Sequence, residues 1–144
     1  MQTTVSAATP GLVSSPVFDL SRVRKLVERA KPDWDGVRLD AAQQEYVRFL
    51  QLCRMYPDRK IAAPEDVDQF WHAHMLDSKS YVRDCDGYFG CYLYHDPCIG
   101  VADMADDAQA TLRLYREAFQ APPPKLWSGL MTCAGPGKGC GSIH

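Results

Sequence analysis

No apolar run in this sequence approaches the ~20 residues that a membrane-spanning helix requires, so the membrane is not expected as a partner. Basic residues never form a run: the closest grouping, Arg22-Val23-Arg24-Lys25, is interrupted by an apolar residue. Sixteen Lys and Arg against eighteen Asp and Glu leave a net charge of −2, which gives no electrostatic footprint for nucleic acid. The first residues lack the positive and apolar regions of a secretory signal. Together these absences predict a soluble, cytoplasmic protein. Cysteine is also scarce. Six in 144 residues falls below the roughly 8–10% of a disulfide scaffold, and no C-x₂-C pair occurs, so reduced thiols or metal ligation are expected. A phosphate-cradling loop is missing too, because the glycines gather after the last predicted helix instead of joining a strand to one.

What is present is helical periodicity. Leu20, Val23, Leu26, Val27 and Ala30 predict a first helix over about Asp19–Ala30, and residues 31–36 read as a turn. Asp40, with Gln43 in capping-box position, opens a second helix whose apolar stripe is Tyr46, Phe49, Leu50 and Cys53. Pro57 ends it. Pro64 followed by Glu65 and Asp66 makes a favourable start for a third helix reaching Leu76. A fourth runs from Asp77 to Phe89, where Gly90 stops it in the left-handed conformation, and a fifth covers about Asp103–Gln120. No strand alternation is found. The expected architecture is all-α, a single compact bundle of about five helices over residues 18–121. A disordered arm (1–17) precedes it and a Pro/Gly-rich tail (122–144) follows.

Three of the four histidines fall between positions 72 and 95. At 100° per residue, Asp68 and His72 project from one side of the third helix, one turn apart, while His74 points away with Val67, Phe70 and Trp71. The sharper expectation is therefore a metal site: Asp68 and His72 from one helix, His95 from the segment after Gly90, and His74 and Cys85 in reserve. Two imidazoles and a carboxylate on one side of a cation leave positions open, which suits iron or zinc, with copper also open. Glu65 or Asp96 is the expected outer partner of an imidazole. A sulfur alternative would gather Cys85, Cys91, His95 and Cys98, and a nucleophilic one would pair Cys85 or Cys98 with His95. Cys53 reads as core filler, and Cys133 and Cys140 as free thiols of the tail. In the bland reading, His74 is a satisfied core histidine and Asp68 with His72 is only a polar helix pair.

Across Pro64 to Pro97, the elements Asp66-Val-Asp68, Trp71-His-Ala-His-Met-Leu76, Tyr81, Asp84-Cys85, Gly90 and His95-Asp96 resemble the glycine-rich domain-containing protein-like family. The resemblance implies a shared fold and a shared cluster at Asp66, Asp68, Trp71, His72, His74, Asp84, Cys85 and His95, and it brings no established reaction. Its plant members carry an RNA-binding segment that this chain lacks, so no RNA role is carried over. Two functions are thus expected to compete. One is a small mononuclear metalloenzyme, an oxidoreductase with iron or a hydrolase or lyase with zinc, acting on a small molecule or peptide. The other is a non-catalytic interaction module whose His/Asp/Trp cluster is a structural network. The oligomeric state is left open.

Overall fold

The structure, a computed structural model, describes residues 13–17, 19–95, 104–129 and 131–134. Five α-helices lie among them, so the all-α expectation holds. They are α1 (Ser21–Ala30), α2 (Gly36–Met55), α3 (Glu65–Leu76), α4 (Ser78–Phe89) and α5 (Met104–Phe119). None is long and apolar enough to cross a membrane. Residues 1–12 of the expected arm and 135–144 of the expected tail lie outside the described residues.

The longest helix, α2, begins earlier than the sequence suggests. Asp35, not Asp40, is its N-cap, its carboxylate accepting from the Arg38 amide at 2.9 Å. The turn over residues 31–34 is already closed by the Trp34 amide donating to the Lys31 carbonyl. The helix can therefore start at Gly36, and Asp40 inside it pairs with Arg24 at 2.7 Å. The stripe of Tyr46, Phe49 and Leu50 is buried, and Cys53 lies beside it in the core.

Helix α3 occupies the middle of the fold, packed against α1, α2 and α4. Its first turn carries Glu65, Asp66 and Asp68, which complement the positive end of the helix dipole. Asp66 also holds α2 through a two-point contact with the Arg38 guanidinium at 2.9 and 3.0 Å. Val67, Phe70, Trp71 and His74 form the buried face. At the end of α4, Gly90 takes φ 79°, a conformation that costs glycine little. The chain there turns back, and residues 91–95 run toward α3.

One element was not anticipated. Ala62–Pro64 (β1) pairs antiparallel with Met131–Ala134 (β2), with Ala62 opposite Ala134 and Pro64 opposite Met131. Segments this short show no alternation, and the partners lie far apart in sequence, so no local pattern announces the pairing. Before β2 comes a 3₁₀ turn over Lys125–Ser128, and Trp127 within it is buried in the core. Its indole donates to Glu45 at 2.8 Å, and the Tyr115 hydroxyl donates to the same carboxylate oxygen at 2.7 Å. Near the other end of the described chain, Gln51 donates to the Val13 carbonyl at 3.0 Å and Tyr88 to the Ser14 carbonyl at 2.7 Å.

Candidate metal centre

Helix spacing and the Gly90 reversal bring three donor groups together. Asp68 and His72 stand one turn apart on α3, and His95 arrives from the returning segment. Nε2 of His95 lies 2.7 Å from one carboxylate oxygen of Asp68. Nε2 of His72 lies 3.2 Å from the other, and the two Nε2 atoms are 3.1 Å apart. Asp68 and His95 are largely buried, whereas the His72 side chain is 53% exposed, so the group opens to solvent on one side. Among the described residues these three form the group of His, Cys, Asp and Glu side chains able to hold a metal ion.

Each imidazole approaches its own oxygen of Asp68, so two Nε2–H groups can lie side by side and donate one to each oxygen. A cation can take the place of those protons, accepting a lone pair from each imidazole and one from the carboxylate. Metal–ligand bonds of ~2.0–2.1 Å put neighbouring donors about 2.9 Å apart at right angles and about 3.3 Å apart in a tetrahedron. The two Nε2 atoms, 3.1 Å apart, lie between those values.

The third ligand comes from a loop, and core groups hold that loop in place. The His95 ring stacks on Trp71 with centroids 3.9 Å apart and planes 11° from parallel. Trp71 is fully buried and packs against Phe49, so its indole is a rigid backing for the imidazole. Trp71 Nε1 donates to the Tyr81 hydroxyl at 2.9 Å, and that hydroxyl donates to the Leu93 carbonyl at 2.5 Å, two residues before His95. The Cys85 thiol touches both the Tyr81 hydroxyl and the Leu93 backbone. Removing the Tyr81 hydroxyl leaves a buried donor and a buried acceptor unpaired, at about 1–3 kcal/mol each. Tyr81→Phe is therefore expected to lower unfolding stability by about 2–4 kcal/mol and to weaken metal binding about tenfold or more, as outer-shell losses do. Wild-type melting and metal titration in this variant would show that the loop is held by something else.

His74 and Cys85 stand apart from the triad. His74 is buried, with Nδ1 2.7 Å from the Tyr46 hydroxyl and Nε2 2.8 Å from Asp84. The Asp84 carboxylate can only accept, so Nε2 carries the proton and Nδ1 accepts from Tyr46. Burial pushes the Tyr46 phenol well up, which keeps it the donor. Desolvation also holds His74 below the ordinary histidine value of 6.5, outweighing the opposing pull of Asp84. The unfolded chain therefore takes up a proton near pH 6.5 while the folded chain stays neutral. Stability is full above that pH and falls as pH drops below it toward the depressed folded value, by at most ~1.4 kcal/mol per pH unit. Urea midpoints of metal-free protein between pH 7.5 and 5.5 are expected to show this loss, and His74→Gln to flatten it; equal slopes in the two proteins would refute the assignment.

The sulfur readings are corrected where they use Cys85 and Cys91. Cys85 is a buried free thiol that desolvation pushes up, the opposite of what a nucleophile needs. Cys91 is disulfide-bonded and so offers no thiolate to a metal. Cys53 is free and buried, as expected of core filler. Asp96, Cys98, Cys140 and the side chain of Cys133 lie outside the described residues. Glu65 lines a surface cleft with Arg38 and Lys125. Sequence reasoning missed Glu45, the buried carboxylate beneath Trp127, because a lone Glu within a helix carries no signal of burial.

The sequence profile of the UCP032817-like family, an uncharacterised family, matches residues 12–121. Nothing indicates the glycine-rich domain-containing protein-like family, so that resemblance is overturned. Neither a curated protein nor a solved structure matches the chain.

Proposed function

The chain belongs to the UCP032817-like family, an uncharacterised one that brings no activity with it, and from the geometry of Asp68, His72 and His95 we propose that it is a small metal-binding protein. Asp68, His72 and His95 hold one divalent transition ion, and its open positions face a small-molecule or peptide substrate. The observation that carries this reading is the approach of the His72 and His95 Nε2 atoms, 3.1 Å apart, to one carboxylate, whose two oxygens lie 3.2 Å from His72 and 2.7 Å from His95, on a half-open surface. Two imidazoles and one carboxylate suit iron(II) or zinc(II), and copper is compatible with the nitrogen donors. Bound there, the metal supplies Lewis acidity or, if it is iron, redox chemistry. The chain supplies the rest. Asp68 contributes negative charge from a buried position, Trp71 fixes the plane of the His95 ring, and Tyr81 pins the backbone that carries it.

A second reading rests on the Tyr46–His74–Asp84 network. Part of the His/Asp cluster is a buried, satisfied polar chain, as an interaction module with a structural network would have. Elemental analysis of untagged protein separates the two. About one equivalent of iron, zinc or copper, with a melting temperature raised by the added metal, favours the metal site, since a ligand bound only by the folded state must stabilise it. Metal-free protein whose melting is indifferent to all three ions would sink the metal reading and leave the interaction module.

A further inference from the structure

A cavity of about 150 Å³ lies between α1 and α3, beside the triad. Leu26 and Ala30 of α1 face Ala73 and Leu76 of α3 across it, and its polar groups are Gln69 and His72. Leu76 is 75% exposed, an arrangement that leaves an apolar wall open to water. His72 belongs to both sites: its Nε2 faces Asp68 and His95, and the residue also lines the cavity. The volume matches that of one benzene ring, held here in a half-open cleft with one side to water.

We propose that this cavity is the specificity subsite of the metal centre, receiving a benzene-sized apolar group of a small molecule whose polar head ligates the ion held by Asp68, His72 and His95. The inference rests on the metal reading, and it narrows the substrate class to compact amphiphiles: a metal-binding head on one side of His72 and a single ring or short branched alkyl group on the other. Continuity through His72 is the reason to assign such an occupant. A ligand that merely filled the cavity would gain its apolar area alone, whereas one anchored on the ion places its ring there without a second loss of translational freedom.

Cobalt(II) loaded into the full chain provides a visible absorption band for the test. Benzohydroxamate and acetohydroxamate share one metal-binding head and differ in a phenyl against a methyl group. Benzohydroxamate is expected to bind about 10- to 100-fold more tightly, from the extra apolar area it buries. Ala30 is exposed and contributes no ligand, so Ala30→Phe is expected to fill the cavity and bring the two affinities to within about threefold, with cobalt affinity unchanged. Leu76→Ser, which removes the open wall, should lower the benzohydroxamate preference in the same direction. Equal affinities in the unmodified protein, or a phenyl preference that survives Ala30→Phe, would overturn the subsite while leaving the metal centre standing. Failure of the protein to take up cobalt at all would overturn both.

Discussion

His72→Ala is expected to lower the affinity for zinc(II) or cobalt(II) by about 10²–10³-fold while the helical fold persists. The magnitude follows from structural zinc sites, where four protein ligands together supply about 10–16 kcal/mol. One ligand is then worth roughly 2.5–4 kcal/mol, and 1.4 kcal/mol is tenfold in affinity. The fold should persist because the His72 side chain is half exposed and alanine is the strongest helix former. Truncation there creates no enclosed void and only widens the cleft that His72 lines. His95→Ala should cost at least as much metal affinity, and it also uncovers Trp71, whose indole backs the imidazole. Asp68→Asn keeps the shape and removes the charge, so metal affinity falls with little change in packing. The informative comparison is stability with and without ion. Unmodified protein should gain about 2.7 kcal/mol at a free metal concentration 100 times Kd, and His72→Ala should gain almost nothing at that same concentration. Equal stabilisation of both proteins would mean that the ion binds elsewhere.

Trp127→Ala is expected to cost about 3–5 kcal/mol of unfolding free energy, the range for truncating a buried tryptophan. The residue is 1% exposed and stacks edge-on to Tyr115 at 5.1 Å. Its indole donor is one of the groups that satisfy Glu45, together with the Tyr115 hydroxyl and Arg48, whose guanidinium lies 3.5 Å from the second carboxylate oxygen. Burial and the Glu45 hydrogen bond push the Tyr115 phenol up to about 12, so it remains a donor throughout the physiological range. Losing the indole leaves both a void and a less satisfied buried carboxylate. Since domains of this size unfold at roughly 5–15 kcal/mol, the loss is a large share of the total and should appear as a melting temperature lower by roughly 10 °C or more. Lys125→Ala, at an exposed position in the same turn, should stay within about 0.5 kcal/mol. A loss below about 1 kcal/mol for Trp127→Ala would show that the segment after α5 does not contribute to the core.

These two expectations draw on opposite kinds of information. The ingredients of the first are legible in the sequence. Apolar residues at helical spacing identify α3, and a four-residue step places Asp68 and His72 on one side. Two further positions turn His74 inward, and Gly90 marks where the chain must reverse to bring His95 back. Each inference concerns neighbours a turn or two apart, where backbone geometry alone fixes direction. Glu45 and Trp127 are eighty-two residues apart, and nothing local in either connects them. The same holds for β1 and β2, too short to show a period.

The sequence by itself determined the helices, the inward face of α3 and the candidates for ligation, because helical periodicity is a property of adjacent residues. Tertiary structure alone decided the remainder. The stack of His95 on Trp71, the Tyr81 contact with Leu93, the bond between Tyr46 and His74, and the anchoring of Trp127 on Glu45 all depend on segments meeting through packing. Which remote groups meet is set by how the elements together bury apolar surface and satisfy buried polar atoms, a condition on the whole chain that no single window of it contains.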